Sequence, residues 1–118
     1  MIKYKYHLRE PGFSDIINGN KKIEGRLNKN TFSKIKSNDQ ILFTNNELVN
    51  PRSVIVNVIK VMNYDSFTTM INAEELDLIR PNAKSIDDAL QIYRKYYSFD
   101  NEKKYGVLAI YITLCWFY

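Results

Sequence analysis

Apolar and polar residues alternate at the start of the chain, where Ile2, Tyr4, Tyr6 and Leu8 are separated by Lys3, Lys5 and His7. A period of two places the apolar set on one face of a half-buried strand. After Glu10-Pro11-Gly12, the residues Phe13, Ile16 and Ile17 fall at i, i+3 and i+4 and predict a short helix. Gly19 suits the left-handed residue that ends one. Lys22 to Leu27 returns to the strand period, with Ile23, Gly25 and Leu27 on one face and Lys22, Glu24 and Arg26 on the other. Gln40 to Thr44 predicts a short strand bounded by Asn45-Asn46. Ser53 to Met62 carries Val54, Ile55, Val56, Val58, Ile59 and Val61, and this near-continuous apolar run predicts a long strand buried on both faces.

The second half turns helical. Ser66 can cap a turn carrying Phe67, Met70 and Ile71, continued through Ala73 to Ile79 until Arg80-Pro81 stops it. A longer helix starts at Ser85 with Asp88 three residues on, and Ile86, Ala89, Leu90, Tyr93, Tyr96 and Tyr97 form its apolar stripe. Tyr105 to Leu114 is β-branched and apolar, a closing strand. The order β-α-β-β-β-α-α-β implies an α+β fold, a small twisted sheet or barrel with helices outside it. No repeat or linker-like stretch interrupts the chain, so residues 1–118 read as one domain with an aromatic tail at 115–118.

Composition removes several classes of function. One cysteine, Cys115, excludes an internal disulfide, and with one histidine, His7, a classical zinc site has too few ligands. The metal and cofactor expectation is none. The chain has no apolar run of the roughly 18–20 residues a membrane helix needs, and no apolar stretch of the signal-peptide kind at its start. The expected location is intracellular, cytoplasmic or nuclear, or the cytoplasm of an infected cell if the chain is viral. Ile (14), Asn (13), Lys (12) and Tyr (9) dominate, a bias expected of an AT-rich genome, which discounts the net charge of +4. Its distribution says more. Residues 1–63 carry eleven Lys and Arg against five acids, whereas residues 64–118 carry six against eight. Between 20 and 37, Lys21, Lys22, Arg26, Lys29, Lys34 and Lys36 face only Glu24, a pattern suited either to a polyanion or to a solvated loop.

One segment is more specific than charge. Gly19, Lys21, Glu24 and Arg26 sit where a helix stop runs into a strand, and the spacing resembles the G-x-K-x-x-E-x-R signature of the ASCH family, part of the PUA-like superfamily. The opening strand with its Pro11-Gly12-Phe13 turn, the helix from Ser85 to Ser98 and the strand from Lys104 to Ile110 resemble the family's other elements in order and spacing. The resemblance implies a PUA-like β-barrel of about five to six strands with flanking helices, and a cleft floored by the signature strand and walled by the first helix. It also implies RNA or a modified nucleoside as the ligand.

The residue types fit that expectation. Arg26 offers a planar fork for phosphate or a base edge, Lys21 a point charge, and Glu24 an acceptor for exocyclic amines. Lys22, His7 and Tyr105 complete the candidate binding set, Tyr105 as a stacking surface. The bland alternatives are a salt bridge between Glu24 and Arg26, an ordinary strand histidine at His7, and a mainly core role for Tyr93, Tyr96 and Tyr97, from which one hydroxyl could still reach the cleft. Gly25 permits either close packing or close approach of a ligand, and Cys115 reads as an apolar filler. A second class of function is a small hydrolase. One branch of the family resembles an amidohydrolase that removes acyl groups from N4 of cytidine with a Lys, a Thr nucleophile and a distant Glu. Lys21 would match the Lys and Glu74 or Glu75 the acid, but Glu24 stands at the nucleophile position, which departs from that mechanism. Ribonuclease action with Lys21 as acid–base and Arg26 on the phosphate is the other hydrolytic route. Trp116, Phe117 and Tyr118 could either extend the last strand or form a patch for a homodimer or protein partner.

Overall fold

The computed structural model describes residues 1–47 and 50–117, with Phe117 described through its backbone alone. Strands β1 (Ile2–His7), β2 (Ile23–Leu27), β3 (Gln40–Asn45), β4 (Arg52–Tyr64) and β5 (Val107–Phe117) form one sheet in the order β1-β3-β4-β5-β2. The β1–β3 pair is parallel and the other three are antiparallel, giving a mixed half-barrel within an α+β fold. Helix α1 (Gly12–Ile17) follows β1, and α2 (Phe67–Ala73), α3 (Leu76–Ile79), α4 (Ile86–Tyr96) and α5 (Phe99–Tyr105) lie between β4 and β5.

Two cores cover the two faces of the sheet. One joins Phe13 and Ile16 of α1 to Phe43, Val54, Val56 and Val58, and to Leu108, Ile110 and Ile112 of β5. The other joins Ile23 and Leu27 of β2 to Phe67, Met70, Ile79, Ala89 and Tyr93 of the helices, and to Val107 and Ala109 of β5. The strand buried on both faces is therefore the first half of β5, not β4. In β4 the residues Val54, Val56 and Val58 are buried, while Ile59 on the outward side is 55% exposed. A β-branched run alone does not distinguish one covered face from two.

Other boundaries also moved. The run from Phe67 to Ile79 is two helices, because Glu74 and Glu75 take extended backbone between them. Tyr105, expected at the start of the closing strand, ends helix α5 instead, and β5 begins at Val107. The polar loop after β2 contains a 3₁₀ turn over Asn30–Lys34. At the far end β5 continues into the aromatic tail, where Trp116 pairs with Ile55 and Phe117 with Val54. Trp116 stays 57% exposed and Cys115 is exposed rather than an apolar filler. Tyr118 and the Phe117 side chain lie outside the described residues. No helix among the described residues is long and apolar enough to cross a membrane.

Candidate functional site

The signature segment folds as its spacing predicts. Gly19 leaves α1 at φ +80°, a conformation that costs an L-residue strain, and its N–H donates to Ile16 O at 3.1 Å. Strand β2 follows as an edge strand that, among the described residues, pairs with β5 alone. Glu24 sits opposite Ile110 and Arg26 opposite Leu108, so their side chains rise on the face that carries α1. Gly25 presents the other face, where an added Cβ would lie 2.9 Å from both Met70 Cε and Tyr93 Oη. Its missing side chain therefore serves close packing.

Lys21 and Glu24 are buried, with 4% and 6% of their surfaces exposed. Lys21 Nζ donates to Ile79 O at 2.6 Å and Ile23 O at 2.7 Å, and lies 3.2 Å from Glu24 Oε1. Three acceptors around one nitrogen match the three N–H bonds of an ammonium. Burial pulls the Lys21 pKa below the ordinary lysine value, against the attraction of Glu24. Glu24 Oε2 accepts from Arg26 Nε at 2.8 Å. Burial by itself would raise the Glu24 carboxyl, but the Arg26 and Lys21 charges outweigh it and hold its pKa below the usual carboxylate value. Burial likewise opposes the Arg26 charge, and Glu24 more than reverses that effect.

Arg26 is the member of this network that reaches outward. Its guanidinium carbon lies 4.8 Å from the Phe32 ring centre, and Phe32 in turn stacks on Tyr6 at 4.0 Å. Nε is committed to Glu24, but among the described residues no acceptor takes the two terminal nitrogens. Arg26 lines a cavity of about 190 Å³ between the end of β1, the start of α1, β2 and α4. His7, Lys21, Glu24 and Arg26 all line it, so four of the sequence candidates converge there.

Its remaining walls come from residues that the motif does not contain. Arg9 and Arg80 raise the cationic side chains to four, against the carboxylates of Glu10 and Glu24. Glu10 is engaged by Ser14, whose N–H and hydroxyl donate to it at 2.9 and 2.6 Å. Tyr93, Tyr96 and Tyr97 of α4 form the aromatic wall. Tyr93 and Tyr97 do belong to the core, stacking on Phe67 at 4.2 and 5.1 Å, yet both also face the cavity. Burial raises both phenol pKa values. Tyr96 is 56% exposed, with the Arg9 guanidinium 5.6 Å from its ring centre. The helical period of the tyrosines was visible in the sequence. What turned them toward β2 was tertiary packing.

The other candidates lie elsewhere. Lys22 is exposed and does not line this cavity; its backbone joins β2 to Leu78 O and Ile112 N–H. Tyr105 borders a different, polar depression with Asn28, Asn63 and Thr69, and the ammonium groups of Lys29 and Lys104 lie 5.1 and 5.2 Å from its ring centre. Glu74 accepts hydrogen bonds from the hydroxyls of Tyr64 and Tyr111, and neither it nor Glu75 lines the cavity of Lys21. The bond to Glu74 pushes the Tyr64 pKa up to about 12. No cluster of metal-ligating side chains occurs among the described residues.

Comparison with known proteins agrees with this architecture. The crystal structure of hypothetical protein PH0355 superposes with a TM-score of 0.86 at 36% identity, over 97% of this chain and 100% of that one. The solution NMR structure of protein PF0455 from Pyrococcus furiosus gives 0.76 at 36% identity, over 94% and 96%. No curated protein matches the chain. The ASCH domain family model matches residues 7–115, nearly the whole length, and the chain belongs to the ASCH domain family.

Proposed function

We propose that the cavity beside β2 binds RNA through one of its nucleotides, or a free modified nucleoside or its phosphate, and does no chemistry on it. The observation that carries this reading is Arg26, which lines a cavity walled by tyrosines, with its Nε held by a buried carboxylate and its two terminal nitrogens without an acceptor among the described residues. A fork held in this way is suited to a phosphate or a base edge, and the tyrosine faces to stacking. The excess of cationic side chains favours an anionic ligand.

The hydrolase reading is less well supported. Lys21 donates to two carbonyls and a carboxylate, so no lone pair is available for a base or nucleophile without breaking that network. Both Glu24 oxygens are engaged, and Glu74 is held by two tyrosines outside the cavity.

Titration with a labelled single-stranded RNA at low and high salt tests the proposal. Affinity is expected to fall as salt rises, and Arg26→Ala to weaken binding at least tenfold at low salt with the fold intact. Absence of binding at low salt would refute it. Incubation with N4-acetylcytidine or RNA should return the input unchanged, and a product that disappears in Lys21→Met would transfer the case to the hydrolase.

A further inference from the structure

The edge of β2 carries a second recognition feature, in its backbone. Ile112 N–H donates to Lys22 O at 2.9 Å and Asn28 N–H to Gly106 O at 3.0 Å. These bonds flank the register Glu24 opposite Ile110 and Arg26 opposite Leu108. In an antiparallel pair, hydrogen-bonded positions alternate, so residues 24 and 26 turn their backbone groups toward β5. Ile23, Gly25 and Leu27 turn theirs away from the sheet. Two of the outward carbonyls are taken, Ile23 O by Lys21 Nζ at 2.7 Å and Leu27 O by Lys29 N–H at 2.9 Å. Gly25 alone keeps both its N–H and its C=O without a partner among the described residues. It is also buried, and it lines the cavity beside Arg26. A buried backbone donor and acceptor left unpaired next to an open cavity is uncommon, and either a ligand or water must satisfy it.

We infer that the Gly25 N–H and C=O are the base-reading groups of this cavity, pairing with the hydrogen-bonding edge of a nucleobase. This inference rests on the nucleotide reading above. A nucleobase presents an adjacent donor and acceptor on one planar edge, which is what one outward strand residue can meet. A peptide adding as a strand needs a row of such pairs. Here that row is one residue long, because Lys21 and Lys29 occupy the carbonyls on either side. The division of labour is then simple. Arg26 attracts the phosphate, the tyrosines take the face of the base, and Gly25 takes its edge.

The test replaces Gly25 with glycolic acid in a chemically assembled full-length chain, turning the amide into an ester that keeps its shape but lacks the N–H. The probes are the four nucleoside 5′-monophosphates, ribose 5-phosphate and a blocked four-residue peptide. The wild type should bind at least one monophosphate more tightly than ribose 5-phosphate, and the ester should weaken that binding about five- to tenfold while leaving ribose 5-phosphate unaffected. In the wild type, the Gly25 amide proton should move downfield and exchange more slowly on saturation, a reading that stands even if the ester fails to fold. Equal binding by ester and wild type with no Gly25 amide change would overturn the inference and spare the nucleotide reading. So would equal affinity for ribose 5-phosphate, or preferential capture of the peptide. If neither the monophosphates nor single-stranded RNA binds the wild type, both fall together.

Discussion

Lys21 shows how one residue supports both the fold and the site. Its ammonium ties β2 to the end of α3 through Ile79 O and neutralises Glu24 in the interior. Removing it leaves a buried carboxylate with one partner fewer and two carbonyls without a donor. Lys21→Met is expected to destabilise the protein by about 3–5 kcal/mol, the usual cost of breaking a buried ion pair from one side. Urea unfolding measures this, and a change below about 0.5 kcal/mol, typical of a surface position, would contradict the role assigned to Lys21. At this scale the sequence was informative where chemistry was local. Alternation on β2 placed Glu24 and Arg26 on one face, and Gly19 marked the helix stop. Arg9, Arg80 and Tyr96 carry no such local signal, since three separate elements bring them to β2. The dual role of Tyr93 and Tyr97 was only partly legible for the same reason, because a helical stripe reads as core whether or not its edge borders a cavity.

Among the elements, α5 is the one that periodicity does not reveal. Its sequence, Phe-Asp-Asn-Glu-Lys-Lys-Tyr, buries a carboxylate rather than an apolar stripe. Glu102 is 4% exposed, accepts from Phe67 N–H at 2.6 Å and pairs with Arg94 at 2.6 Å. The helix is thus docked by a charge onto the start of α2 and the side of α4, and hydrophobic patterning is blind to that. Its first turn depends on Ser98, whose hydroxyl oxygen accepts from Asn101 N–H at 3.1 Å. Ser98→Ala should cost about 1 kcal/mol. The matching loss in thermal midpoint should appear without a change in RNA affinity, since Ser98 does not line the β2 cavity. An unchanged midpoint would mean that Glu102 alone holds the helix. The broken run between α2 and α3 has a related cause. Glu74 is drawn out to the hydroxyls of Tyr64 and Tyr111, an interaction between elements that no local pattern encodes.

Across the whole molecule, the basic half of the chain does not act as a free cationic surface, because two of its charges, Lys21 and Arg26, pair with Glu24. That pairing makes stability sensitive to acid. The folded state holds the Glu24 pKa below its ordinary value of about 4.3, so across that interval the unfolded chain binds more protons than the folded one. The stabilisation is complete above the ordinary value and is lost as pH falls through the lowered one. Thermal melting from pH 6 to pH 3 should show a steep loss in the wild type and a shallower one in Glu24→Gln, whose overall stability is lower. Parallel curves would remove Glu24 from the account. The same pairing uses only Nε of Arg26, and the nucleotide proposal depends on its two terminal nitrogens. Its most direct test is a map of backbone amide shifts while the protein is titrated with a nucleoside 5′-monophosphate. Changes should concentrate at Leu8 to Gly12, Glu24 to Arg26 and Tyr93 to Tyr97, all reduced in Arg26→Ala. Shifts centred instead on Asn28, Thr69 and Tyr105, or none at saturating ligand, would contradict it.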